Sequence, residues 1–228
     1  MAQSPEQAGA EWRISEVDVR DDAGLSVVAR LHMELLGFGP LAALGERFVR
    51  EICYRALMQS AVLDVALLEV RGEPVGFVAY TKSSDAFHRT GLKQHWLKAG
   101  IELLRALFTQ PDGFRKTLRA LRWVASRRDE KPKEPSANGE VVCVAVRPQH
   151  LRTRSFGNLR ASERLVAYAG DRLRAAGVAE MRMIVERHNK AVLLLYHHLG
   201  ARFEPYELGG EPQVQVWFDL EKLHAVVG

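Results

Sequence analysis

Residues 140–203 read EVVCVAVRPQHLRTRSFGNLRASERLVAYAGDRLRAAGVAEMRMIVERHNKAVLLLYHHLGARF. The order is strand, turn, helix, strand, helix. Val141, Val142, Val144 and Val146 form a β-branched run, and Pro148 closes it because proline has no N–H to give a central strand. A polar, arginine-rich turn with one glycine follows, through Arg152, Arg154, Gly157, Asn158 and Arg160. Leu165, Val166, Ala169, Leu173 and Ala176 then recur at helical spacing, and Gly177 supplies the stop. A second apolar strand (Met181, Met183, Ile184, Val185) runs on to Asn189, and a short helix carries Tyr196 up to Gly200. A strand that feeds a glycine-containing turn and a helix N-terminus exposes unpaired backbone N–H groups, which suits a phosphate.

In Met183-Ile-Val-Glu-Arg-His-Asn189, Ala191 and Leu195-Tyr196-His-His-Leu-Gly200, the tyrosine stands seven residues after the asparagine and the glycine four further on. This segment resembles the second half of the GNAT superfamily of acetyl-CoA-dependent N-acetyltransferases. Val144-Ala-Val146-Arg-Pro148 is similar to that family's fourth strand, and the arginine-rich turn to its pyrophosphate loop. The resemblance covers residues 138–220 well and 12–80 weakly. It implies an α/β fold with a mixed, mostly antiparallel sheet flanked by helices. One departure stands out. The family's loop reads Arg/Gln-x-x-Gly-x-Gly/Ala, whereas Arg154-Ser-Phe-Gly157-Asn-Leu159 fits the first glycine and puts leucine at the second. Counting back from Gly177 instead puts Arg160 and Ser162 at the two small positions, so the loop is several residues longer than usual.

The resemblance also implies roles. Val144, Ala145 and Val146 would offer backbone groups to the pantetheine arm of acetyl-CoA and to the thioester carbonyl. Arg152, Arg154, the amides of Gly157 and Asn158, and Ser162 would face the pyrophosphate. Asn189 would bind the pantetheine or an ordered water, and Tyr196 would protonate the departing thiolate, since a phenol donates without prior ionisation. Glu140 would be a general base acting through water; a solvated strand-end carboxylate is the equal alternative. His32, Phe38 and Gly39 stand on the acceptor side, where the competing account of His32 is a partly buried histidine with one hydrogen bond. The reaction would be direct attack of a bound primary amine, because no cysteine or serine has an obvious base partner in the sequence.

Outward from this stretch, 228 residues with 47 % apolar and 26 % charged side chains suggest one soluble globular domain over 1–228. Cys53 and Cys143 lie in apolar runs without metal-ligand spacing and read as buried hydrophobes in a reducing cytoplasm. No long apolar span and no basic-then-apolar leader is seen, which points to a cytoplasmic protein. Residues 1–11 read as frayed. Trp12 to Val19 reads as a first strand, Asp21 and Asp22 as helix caps, and Val27, Val28, Leu31, Leu35 and Leu36 as a buried stripe. Gly37-Phe-Gly-Pro40 breaks that helix, and a second runs from Leu41 to Met58. Val62–Val70 and Val75–Tyr80 read as a hairpin about Arg71-Gly72-Glu73-Pro74; strands from Arg202 and through Val214, Val216 and Phe218 form another.

Residues 86 to about 134 are an insert that reads as a helical hairpin: Leu97, Ile101, Leu104, Leu107 and Phe108, a turn at Gln110-Pro-Asp-Gly113, then Phe114, Leu118, Leu121, Trp123 and Val124. It holds twelve lysines and arginines against five acids, or +7, while the whole chain is +4. Such a segment suits an acidic or phosphate-bearing amine acceptor, an anionic lipid surface or, less well, a nucleic acid, since aromatics are not interleaved with the charges. A docked hairpin with a solvated outer face fits equally, and its apolar face could pair two chains. Residues 131–139 read as a linker. Two alternatives to the enzyme stay open: a same-fold binding or sensor protein without cofactor, and a membrane- or partner-docking protein that uses the hairpin. The acceptor, a small molecule or a peptide, is not fixed by the sequence.

Overall fold

The structure, a computed structural model, describes residues 12–37, 39, 42–87, 95–109, 115, 138–151, 154–156, 159–208 and 210–227. Seven strands form the main sheet: β1 (Trp12–Glu16), β2 (Asp64–Val70), β3 (Glu73–Thr81), β4 (Gly139–Val146), β7 (Glu180–Glu186), β8 (Arg202–Leu208) and β9 (Glu211–Asp219). Between β4 and β7 in the chain, β5 (Arg154–Phe156) and β6 (Leu159–Arg160) make a separate two-stranded ribbon. The main sheet runs β1-β2-β3-β4-β7-β9-β8, and every neighbouring pair is antiparallel except β4 and β7. The helices include α1 (Asp22–Leu36), the continuous stretch α2 (Glu46–Phe48, Val49–Ala56 and Leu57–Gln59), α3 (Trp96–Thr109), α4 (Ala161–Ala175), α5 (Lys190–His198) and α6 (Leu220–Val227).

Both faces of the sheet are covered, which is why β2 and β3 read as nearly unbroken apolar runs. Along β2, Val65 and Leu67 pack under α1 and α2 with Leu25, Val28, Val49 and Tyr54. Ala66 and Leu68 turn to the other face and join Leu165, Val166, Leu173, Tyr196, Phe218 and Leu223 of the α4–α6 side. The β2–β3 hairpin closes on Arg71 and Gly72, both at positive φ, the backbone a two-residue turn requires. Asp21 caps α1 by accepting the N–H groups of Ala23 and Gly24.

Three expectations need correction. The first strand ends at Glu16, not Val19: Asp18 accepts the Arg20 N–H at 2.8 Å and turns the chain, although Val17 still donates to the Val65 carbonyl. The second helix is not one regular α-helix: among the described residues it runs from Glu46. A short 3₁₀ turn, Ala42–Leu44, meets Gly45 at φ 97°, and α2 is π-helical over Val49–Ala56. The linker also stops earlier, because Gly139 is the buried first residue of β4 and the Asn138 carbonyl accepts the Ser84 N–H at 3.2 Å. The first arm of the basic insert is α3. Its turn, its second arm apart from Arg115, residues 1–11, Phe38, Arg152, Gly157 and Asn158 lie outside the described residues.

Candidate active site

β4 and β7 pair at only two positions, Gly139 with Met181 and Glu140 with Arg182. Both strands continue, to Val146 and Glu186, so beyond Glu140 they diverge and leave a wedge between them. The polarity of β4 identifies what lines it. Arg147 donates its N–H to the Val75 carbonyl of β3 at 2.8 Å, and amides alternate along a strand. Cys143 and Ala145 therefore turn their backbone groups to β3, while Val144 and Val146 turn theirs to the gap. A bulge adds to the divergence: Ala79 pairs with Cys143 and Tyr80 with Val141, which leaves Val142 as the extra residue. Val142 and Cys143 consequently both pack toward α1 and α2.

At the apex of the wedge, Glu140 Oε2 accepts from Ser84 Oγ at 2.5 Å and from Arg182 Nε and Nη2 at 3.0 and 2.9 Å. Arg182 Nη2 also donates to Ser84 Oγ at 2.5 Å. The Glu140 side chain is 3 % exposed and that of Arg182 15 %. Glu140 is thus a buried, paired carboxylate and not a solvated one. Neither Ser84 nor Arg182 stood out in the sequence. The available signal was Arg182 itself, a cation inside an apolar strand that needs a buried anion.

Two helix N-termini meet at the open end. Leu173, late in α4, lies against Gly139, so α4 runs back along β4 and starts near Val146. Its N-cap is Arg160, whose N–H donates to Glu163 Oε2 at 2.6 Å, and Ser162 is half-buried in its first turn. The helix thus begins at Ala161, between Arg160 and Ser162. The extra loop length is taken up by a 3₁₀ turn, Pro148–His150, and the β5–β6 ribbon. Arg154 lies on that ribbon, across from Arg160. At the end of β7, exposed Asn189 caps α5 by accepting the Val192 N–H at 3.3 Å. Crevices at the C-terminal ends of splayed parallel strands, faced by helix N-termini, are where α/β folds hold phosphate-bearing ligands. Tyr196 follows two turns into α5, 3 % exposed and edge-on to Phe218 at 5.7 Å. Burial raises its pKa, so the phenol keeps its proton near neutral pH.

On the α1–α2 face, His32 Nδ1 lies 2.6 Å from the Tyr54 hydroxyl, which is 3.7 Å from Cys143 Sγ. The His32 ring stacks on Phe77 at 6.2 Å. Burial lowers the His32 pKa to about 4 and pushes the Cys53 and Cys143 thiols up to about 12 and about 11. The imidazole is therefore neutral and the thiols are protonated near pH 7. Cys143 has a hydroxyl partner that the sequence did not reveal, because the π-helical turns bring Tyr54 inward from α2. Gly39 is half-buried after α1 and donates its N–H to the Leu36 carbonyl at 3.1 Å. Two surface clefts, about 330 Å³ beside Arg174 and Asp219 and about 290 Å³ beside Tyr80 and Arg172, lie away from the wedge.

No protein-family model matches the chain, and no curated protein matches it in sequence. Solved structures do match. A putative acetyltransferase of the GNAT family from Desulfovibrio desulfuricans is 13 % identical, with 92 % of this chain and 99 % of that one aligned at TM-score 0.54. The PaiA N-acetyltransferase of Thermoplasma acidophilum, solved with coenzyme A, is 10 % identical over 91 % and 98 % of the two chains, TM-score 0.53. The ribosomal-protein-S18-alanine N-acetyltransferase of Escherichia coli is 13 % identical over 92 % and 94 %, TM-score 0.52. The seven-stranded sheet, its single parallel junction and the flanking helices are those of the GNAT acetyltransferase fold.

Proposed function

We propose that the chain is an acetyl-CoA-dependent N-acetyltransferase that moves the acetyl group to a primary amine by direct attack. The observation that carries this reading is the β4–β7 wedge with two helix N-termini at its mouth. The donor set fits a coenzyme A thioester: the free backbone groups of Val144 and Val146 suit an amide-bearing arm, and the first turn of α4 suits a pyrophosphate. Fold neighbours solved with acetyl-CoA or coenzyme A support the same ligand. Bound there, it supplies an activated acyl group and a thiol leaving group.

The chain's own residues divide the remaining work. The Val144 and Val146 N–H groups orient and polarise a carbonyl in the gap. Tyr196 holds a proton at its hydroxyl for a departing thiolate. Asn189 and Ser162 position the ligand, with Arg152, Arg154, Gly157 and Asn158 facing its phosphates. His32, Phe38 and Gly39 wall the acceptor. Glu140 is the proposed base, acting through water, and its contacts with Arg182 and Ser84 set a structural role against that one. The basic insert favours an acidic or phosphate-bearing acceptor. A neighbour described as acting on a protein alanine keeps peptides in the field.

One observation favours a second reading, a binding protein that has lost the cofactor: Glu163 sets a carboxylate on the first turn of α4, where phosphate charge would lie. Isothermal titration with acetyl-CoA separates the two. The enzyme reading expects binding that weakens in Arg154→Ala and survives in Tyr196→Phe, with thiol release over an amine panel lost in the latter. Absence of binding at about millimolar ligand, a contribution under about 4 kcal/mol, refutes it.

A further inference from the structure

Helix α3 docks on the body by an unexpected side. Ala99, Glu102 and Leu103 face Leu44, Phe48 and Ile52 of the neighbouring elements, and Arg47 Nε holds Glu102 Oε1 at 3.1 Å. Ile101 and Leu104 point the other way. Ile101 is 65 % exposed and Leu104 59 % exposed, one turn apart on one face, and Arg105 beside them is also exposed. The sequence repeats the same spacing, with apolar residues at 97, 101, 104 and 108 and cations at 98 and 105. An amphipathic helix in a globular protein normally buries its apolar stripe, whereas Ile101 and Leu104 stay exposed, as side chains at a docking surface do.

We propose that the outer face of α3 is a docking surface for an anionic lipid bilayer. The chemistry selects that occupant. Exposed aliphatic side chains gain nothing against a nucleic-acid backbone, and a second copy of this chain would bring two +7 inserts together. The boundary of a bilayer with anionic headgroups takes both: aliphatic groups enter the acyl region, and the lysines and arginines stay at the phosphates. No helix among the described residues is long and apolar enough to cross a membrane, so the contact is peripheral. It is independent of the acyl-transfer reading.

The test is co-sedimentation of the full chain with vesicles of phosphatidylcholine and phosphatidylglycerol, against vesicles of phosphatidylcholine alone, at about 0.1 M salt. Partitioning at least about tenfold stronger onto the anionic vesicles is expected, weakening as salt rises. The double variant Ile101→Ser, Leu104→Ser loses about tenfold of that partitioning at an unchanged melting temperature. Equal partitioning onto both vesicles, no partitioning, or full retention by the variant overturns the proposal. So does a large fall in the variant's melting temperature, which would mean that the stripe packs within the chain. A dimer in sedimentation velocity that the variant abolishes would assign the face to a second copy and overturns it as well.

Discussion

Replacing Arg182 with methionine tests the apex of the wedge. The substitution keeps an unbranched apolar stem in β7 and removes the guanidinium, so Glu140 Oε2 loses both Arg182 donors at a side chain only 3 % exposed. Breaking a buried ion pair on one side costs about 3–5 kcal/mol, because the desolvated partner is left uncompensated. Arg182 is 15 % exposed and Ser84 still donates, which puts the expectation at the lower end, about 3 kcal/mol. For a chain of this length that corresponds to a melting temperature lower by about 6–12 °C. The double variant Glu140→Gln, Arg182→Met removes both charges, and about 2 kcal/mol should return as coupling. Urea titration near neutral pH of wild type, the two single variants and the double variant reads all four corners of the cycle. A loss below about 1 kcal/mol in Arg182→Met, or strict additivity in the double variant, refutes the clasp. The same series weighs the catalytic role. A general base predicts Glu140→Gln to lower turnover about 10²- to 10⁴-fold with the fold intact, whereas a clasp predicts that stability falls.

His32 has a pKa lowered by burial to about 4 against 6.5 unfolded, so the unfolded chain binds its proton first and stability falls as pH drops from about 6.5 to about 4. The full loss is about 3 kcal/mol, and it should vanish from the urea midpoints of His32→Gln measured across that window; equal acid sensitivity in the variant refutes it. Glu163→Gln keeps an acceptor for the Arg160 N–H but removes the charge from the α4 N-terminus. Acetyl-CoA should then bind about two- to fivefold tighter at low salt, and an unchanged Kd in titration calorimetry would place the pyrophosphate elsewhere. Gly139→Ala would set a Cβ 2.7 Å from Leu173 Cδ1, a side chain with no exposure and no room to yield, so a loss of about 1–3 kcal/mol is expected in urea unfolding.

The parts of the fold that were legible in sequence are those with a local cause. Val141–Val146, Leu165–Leu173 and Val214–Phe218 carry the period of their own element, and Asp21 and Gly177 mark its ends. The family resemblance tied Asn189 to Tyr196 through their spacing, and the structure puts the first on the α5 N-cap and the second in the core. What was illegible depends on registers between strands or on departures from regular geometry. The partnership of Glu140 with Arg182 follows from a parallel register set 42 residues apart in the chain, and nothing local to either residue encodes it. Tyr54 reads as one more residue of an amphipathic helix until the π-helical turns of α2 rotate it toward His32. Ala145 sat in the expected donor trio because a strand's sequence does not reveal which amides its other neighbour already uses.

That parity of β4 also separates two environments by one residue. Val144 and Val146 send their amides into the wedge and their side chains toward α4, while Cys143 and Ala145 send their amides into the β3 ladder and their side chains toward α1 and α2. On the proposed reading, a carbonyl polarised at the Val144 amide lies one residue from the Cys143 side of the strand. There an incoming amine would meet a neutral imidazole, a phenol and protonated thiols, all held neutral by burial near pH 7. Among these groups nothing carries a fixed charge to hold an ammonium, and desolvation disfavours the charged form of any base brought into such surroundings. On that reading, the same burial that makes His32 a weak base would favour the unprotonated amine, the only form that can attack.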